Sequence, residues 1–237
     1  MRLVHLSDLH LGFRQYQRLT PAGINQREAD VATTFKNAID KTIDLDPDLV
    51  LIAGDLFHTV RPSNPAILHA FLQFSRLKKA LPRTEIILIA GNHDLPRATE
   101  TGCILGLFRQ LGLHVVDMEA RRIDLADRGV SVLAVPDAPT WPALVGNPAA
   151  KYNVLMLHGV VQGLLPDWFT AADRARIELP FEELTKTDWD YVALGHYHVY
   201  QQVGKRPIYY SGAIDYTGPS LWGCLLYTSP SPRDRQK

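Results

Sequence analysis

The chain has 237 residues, of which 46% are hydrophobic and 21% charged, and its 25 basic side chains balance 25 acidic ones. A chain of this size can bury one substantial core. Its formal net charge of +0 excludes attraction of the whole molecule to nucleic acid or an anionic membrane, so polyanion binding must come from a local metal site or basic rim. Cys103 and Cys224 provide no disulfide framework, which points to a reducing, cytoplasmic location. No apolar run approaches membrane-spanning length and no signal peptide is read, so no membrane association is expected.

Residues 3–6 form the first expected strand, followed by a long loop over 11–27 that contains Gly12, Pro21 and Gly23. Long loops at the active edge of a sheet tend to carry function. Val31, Phe35, Ala38, Ile39 and Thr42 then recur at helical spacing up to Asp46-Pro47, predicting a helix from Glu28. The unbroken apolar run 49–53 suits a strand covered on both faces. Strand, helix and strand make a right-handed parallel crossover. Asn64 as cap and Pro65 in the first turn start a second helix, with Ile67, Leu68, Phe71, Leu72, Phe74 and Leu77 on one face. A strand over 86–90 and a helix over about 101–110 follow. From His114 onward short strands dominate, over 114–116, 121–125, 130–135, 154–157, 191–194, 199–203 and 208–210. Crossovers in the first half and hairpins in the second predict an α/β protein with two mixed sheets packed together and helices outside.

Residues 224–237, CLLYTSPSPRDRQK, show no apolar periodicity. They read as a disordered terminus or, preferably, as non-native sequence similar to translated sequencing-adapter read-through. The domain is therefore placed over 1–223, and the natural protein is expected to be longer.

Five apolar strands each end in polar residues: Ser7-Asp8-Leu9-His10, Gly54-Asp55 with His58 close behind, Gly91-Asn92-His93-Asp94, His158-Gly159, and Gly195-His196-Tyr197-His198. In a parallel arrangement such ends share one edge of the sheet. His5, His69 and His114 lie within elements and read as packing or surface residues; His10, His58, His93, His158, His196 and His198 all sit at strand ends. Imidazole, carboxylate and one carboxamide suit borderline to hard divalent ions such as Mn, Fe or Zn, and no thiolate argues for structural zinc. Asp8 and His10 alternate along an extended segment, as do His196 and His198, so each pair can serve one ion or two adjacent ones. The ligands exceed what one ion needs. Two ions about 3.5 to 4 Å apart, bridged by a carboxylate, would use them.

These five motifs, in this order, resemble those of the calcineurin-like metallophosphoesterases, and the match runs to about Gly223. The resemblance implies a four-layer α-β-β-α sandwich and a metal-dependent phosphodiesterase with two divalent ions, expected to be Mn. It implies that Asp8, His10 and His198 hold one ion, that Asn92, His158 and His196 hold the other, and that Asp55 bridges them. Every ligand position is filled, which argues against a scaffold without turnover. Two divalent ions against the two anionic ligands leave about two net positive charges to draw in a phosphodiester and polarise it. The motif places His93 beside the ions, as stabiliser of developing charge or proton donor to the leaving oxygen. Asp94 is expected to orient it; the plainer alternative is a turn-stabilising pair.

Gly54-Asp55-Leu56-Phe57-His58 followed by Arg61-Pro62 is most similar to the SbcD-type DNA-repair exonuclease subunits of that family. There the histidine matching His58 engages the phosphodiester, the alternative being a loop cap. Arg14, Arg18, Arg27, Arg61 and Arg97 fall at the same edge, where they could grip DNA phosphates. Phe13, Tyr16 and Trp168 could stack on bases or, as the blander reading, pack the loops. The resemblance implies DNA as substrate in repair and recombination, an SbcC-like coiled-coil ATPase as partner, and a capping domain further along; a homodimer is compatible. Two other readings stand beside it: a small-molecule or cyclic-nucleotide phosphodiesterase or phosphatase, and a non-catalytic nucleic-acid-binding scaffold, which need not hold ions.

Overall fold

The computed structural model describes residues 1–96, 102–138, 140–163, 175 and 177–217. Strand β1 (Leu3–Leu6), helix α1 (Gln26–Leu45), strand β2 (Leu49–Ala53), helix α2 (Asn64–Ala80) and strands β3 (Glu85–Ile89) and β4 (His114–Val116) open the chain. Their strands form one sheet in the order β1-β2-β3-β4, parallel at every pairing. All five residues of β2 are buried, as its continuous apolar run requires.

The second half contributes β5 (Arg121–Leu125), β6 (Val130–Val135), β7 (Tyr152–His158), the short pair β8 (Val160–Val161) and β9 (Glu178–Leu179), helix α3 (Phe181–Thr185), then β10 (Tyr191–Gly195), β11 (Gln201–Gln202) and β12 (Ile208–Tyr210). The second sheet runs β11-β12-β10-β7-β6-β5. It is mixed, with antiparallel pairs at both ends and parallel ones between. The mixed character expected for both sheets is thus confined to the second. Each described strand of the first is reached by a crossover, which leaves parallel pairing as the natural outcome.

Leu49, Leu51 and Ala53 of β2 and Ile87 and Ile89 of β3 pack face to face with Val132, Ala134, Val154, Met156 and Ala193. The other face of the first sheet lies under Val31, Phe35 and Ile39 of α1 and Phe74 and Leu77 of α2. The outer face of the second is covered by Leu179, Leu184 and Trp189. The result is the four-layer sandwich. Its register aligns the carboxyl ends of β1, β2 and β3, with Leu6 opposite Ile52 and Ala53 opposite Ile89, and sets His158 opposite Gly195 in the second sheet.

Several local expectations differ. Helix α1 starts at Gln26, because Asn25 caps it by accepting from the backbone of Arg27 and Glu28. The segment expected as a helix over 101–110 is a 3-10 helix over Ile104–Leu111; Gly102 and Gly106 lower helix propensity there. Of the strand expected over 199–203, Gln201–Gln202 pairs. Strands β8 and β9 and helix α3 are too short for periodicity to reveal. Helix α2 is capped by Ser63, not Asn64: the Ser63 hydroxyl accepts from the Ala66 N–H at 3.3 Å and donates to Glu28 at 2.7 Å. Ser63→Ala should therefore cost about 1 kcal/mol or more in urea denaturation, while Asn64→Ala should stay within about 0.5 kcal/mol.

Candidate metal centre

The strand ends converge where the two sheets meet. The turn after β1 is stitched to the turn after β2, since Asp8 N–H donates to Gly54 O at 3.1 Å and both Leu9 and His10 N–H donate to Asp55 O, at 2.9 and 3.0 Å. It is tied to the second sheet as well, because His196 N–H donates to both Asp8 carboxylate oxygens at 3.0 and 3.1 Å. Asp8, His10 and Asp55 hold left-handed backbone, with φ of 54°, 46° and 53°, and His196 has a φ of 100°. Such conformations cost about 1 to 3 kcal/mol each and persist where surrounding contacts over-determine them.

Among the described residues, three groups of candidate ligands have their coordinating atoms within 4.8 Å of one another: Asp8, His10 and His198; Asp55, His158 and His196; and His10, His58 and His93. His10 Nε2 lies 3.0 Å from His198 Nε2 and 3.7 Å from Asp55 Oδ2. His158 Nε2 lies 3.5 Å from the same Asp55 oxygen and 3.0 Å from Asn92 Oδ1, which His196 Nδ1 approaches to 3.2 Å. These spacings match the edges of a coordination polyhedron with bonds of about 2.1 Å. Tautomer chemistry supports the fit: His158 Nδ1–H donates to Ala53 O at 2.8 Å, so in the neutral ring Nε2 faces the Asn92 oxygen lone pair to lone pair. A cation between them removes that repulsion. The residues present therefore fit a divalent pair, with Asp55 between its halves.

Without cations the electrostatics divide: His10 and His58 are pushed toward the neutral ring, His158 toward the charged ring. Burial pushes His10 well below the usual imidazole range, and the neighbouring His198, His93 and His58 push it further. Burial and His93 lower His58 to about 4, which favours the neutral ring at both positions, the form His10 needs as a ligand. Burial raises the Asp8 carboxyl, against the pull of His198 and His158. Asp55 is lowered despite its burial, by His158 and His93. His158 is raised despite its burial, by Asp55 and Asp8. A buried cluster of two carboxylates gains stability from bound cations. Addition of Mn at about 100 times its dissociation constant should contribute about 2.7 kcal/mol per site, read as a rise in melting temperature that EDTA reverses.

One expected partnership is corrected. Asp94 does not hold the His93 ring; it accepts the backbone N–H groups of Leu56, Phe57 and Gly91 at 3.2, 3.0 and 3.0 Å. Burial and nearby Asp55 raise it to about 7, against those three donors. It is the turn-stabilising residue of the plainer alternative, locking the loop after β3 to the loop after β2. His93 instead donates through Nδ1 to His58 O at 2.7 Å, and its backbone N–H donates to Asp55 Oδ1 at 2.9 Å. The His58 ring stacks on His93 at 5.3 Å.

The arginines divide. Arg14 is exposed at the guanidinium and paired with the buried Glu28 at 2.7 Å. Arg18 and Arg61 are exposed. Arg27 is engaged by Asp30 and Asp215. Phe13 is buried and packs the loop, while Tyr16 is exposed. Arg97, Trp168 and the tail 224–237 lie outside the described residues.

Sequence reasoning passed over three supporting residues. The fully buried Ser7 donates its hydroxyl to Asp8, and its oxygen lies 2.7 Å from that of Ser211. Tyr210 hydroxyl donates to Gly159 O at 2.9 Å and accepts from Val161 N–H at 3.1 Å, fixing the backbone just after His158. A serine directly before the motif aspartate was the available signal for Ser7.

The family model for calcineurin-like phosphoesterases matches residues 1–223. The chain belongs to that family. Among curated proteins, it is similar to the DNA double-strand break repair protein Mre11 of Methanococcus maripaludis, at 30% identity over 84% of this chain and 52% of that protein. The Mre11 of Methanocaldococcus jannaschii is 26% identical over 91% of this chain and 57% of that protein. That of Sulfurisphaera tokodaii is 32% identical over 90% and 54%. The chain thus spans about half the length of these relatives.

Proposed function

We propose that this chain is the phosphodiesterase domain of a Mn-dependent, SbcD-type DNA exonuclease acting in repair and recombination. In that reading Asp8, His10 and His198 hold one ion, Asn92, His158 and His196 the other, and Asp55 bridges. The observation that carries it is the convergence of these side chains with His58 and His93 beside them. The similarity to proteins named for DNA double-strand break repair supports DNA as the substrate. The bound ions would supply charge to polarise the phosphate and to acidify the attacking water.

The protein's own groups do the rest. His93 is held through Nδ1–H by the His58 carbonyl, which leaves Nε2 to meet a phosphoryl or leaving oxygen. Neutral His58 engages the phosphodiester beside it. The exposed Arg14, Arg18 and Arg61 contact the DNA backbone and carry no sequence information; Arg97 is proposed with them from its place in the sequence. In that reading the protein works in the cytoplasm with an SbcC-like coiled-coil ATPase, and the domain runs over residues 1–223.

The test is Mn-dependent hydrolysis of linear duplex DNA, an oligonucleotide and bis-p-nitrophenyl phosphate by the wild-type chain and by His93→Ala. DNA degradation that falls by about 100-fold or more in His93→Ala is the expected result. Cleavage of the small diester without DNA would favour a small-molecule phosphodiesterase. Absence of both hydrolysis and bound ions would overturn the catalytic reading.

A further inference from the structure

On one side the His58 ring meets the cluster, with Nδ1 3.3 Å from His10 Nδ1 and the stacked His93 ring beyond. On another it meets Phe13, whose ring stands edge-on at 4.9 Å and 89°. Phe13 is in turn covered by the Arg27 guanidinium, 5.9 Å from the ring centroid. Arg27 is fixed by donation to Asp30 at 3.0 Å, to Asp215 at 2.8 Å and to the Tyr216 carbonyl at 2.9 Å. Asp215 also accepts from the Thr34 hydroxyl at 2.9 Å. The Arg27 and Asp215 side chains are only 18% and 12% exposed, so the pair is less screened than a surface ion pair.

We infer that Asp215, Arg27 and Phe13 form a brace that positions His58, coupling residues 211–217, where the chain leaves β12, to the phosphodiester-engaging histidine. The effect on turnover rests on the functional reading above; the brace itself does not. Ring packing fixes the angle of the His58 imidazole. Because the His93 ring stacks on the His58 ring at 5.3 Å, one aromatic contact orders both histidines. The carboxylate of Asp215 acts at a distance: without it Arg27 keeps Asp30 but loses its more deeply buried countercharge, and its hold across Phe13 weakens. Asp215 is a positioning residue in this account and touches no reacting atom.

A merely structural role for these residues would change stability and leave His58 indifferent to them. A double-mutant cycle separates the two. Phe13→Ala should lower kcat for bis-p-nitrophenyl phosphate by about tenfold with KM and bound Mn unchanged, as expected for a reacting group displaced by less than about 1 Å. Phe13→Tyr, which keeps the ring, should restore it. In a His58→Ala background, Phe13→Ala and Asp215→Asn should have no further effect. Additive losses in that background overturn the brace. An activity-independent readout is the ring signal of His58 in histidine-labelled protein, identified by its disappearance in His58→Gln. It should shift in Phe13→Ala and again in Asp215→Asn; an unmoved signal in Asp215→Asn overturns the brace even if the wild-type chain hydrolyses no diester, an outcome that by itself counts only against the phosphodiesterase reading.

Discussion

Asp55→Ala should lower hydrolysis of every diester substrate by about 1000-fold or more and leave at most one tightly bound ion per chain. Asp55 touches both halves of the centre: one of its oxygens lies 3.7 Å from His10 Nε2 and 3.5 Å from His158 Nε2. Its other oxygen accepts the His93 N–H at 2.9 Å, so the carboxylate also fixes the loop that carries Asn92. Losing a bridging ligand removes several kcal/mol of transition-state charge stabilisation, and each 1.36 kcal/mol is about a factor of ten. The fold should survive, because the strands on either side are held by buried apolar faces that Asp55 does not share. Metal analysis, circular dichroism and turnover on one preparation check all three expectations. Retention of two ions with more than about a tenth of wild-type turnover would remove Asp55 from its proposed role.

What could be read from the chain follows from how local each signal is. The five strand ends were legible because an apolar run followed by Gly-Asp, Asn-His or Gly-His states both burial and exit within a few residues. Parallel register then carries Asp8, Asp55 and Asn92 to one edge without further information. Asp94 was misassigned because adjacency in sequence is not adjacency at a turn: its neighbour His93 points toward the cluster, while Asp94 turns inward to the N–H groups of Leu56 and Phe57. The cap of α2 was displaced by one residue because Ser63 gains a partner in Glu28, which no local rule connects to it. Arg27 looked like any loop arginine, and its partner Asp215 lies near the other end of the described chain. Contacts of that span are settled by the assembled fold and are invisible to spacing.

Gly195→Ala should be a severely damaging addition of a single methyl group. A Cβ there would stand 1.8 Å from the Ala53 carbonyl oxygen and 2.9 Å from His158 Nδ1, the two atoms whose hydrogen bond sets the His158 tautomer. Both are backbone or buried, so neither can swing aside; the two sheets must separate locally or the Ala53 peptide must rotate. Overpacking of a well-filled core costs about 1 to 3 kcal/mol, and a buried hydrogen bond lost with it adds about 1 kcal/mol or more. Binding at the Asn92, His158 and His196 group should weaken along with stability, since a His158 ring released from Ala53 no longer presents Nε2 reliably. Gly23→Ala is the matched control: its φ is 78° but nothing lies within 4 Å of the new methyl group, so about 1 to 2 kcal/mol of left-handed backbone strain is the whole expected cost, with metal content unchanged. Chemical denaturation with and without Mn distinguishes the two. Equal losses in both variants, or full metal content in Gly195→Ala, would mean that the close approach of the two sheets does not set the ligand geometry.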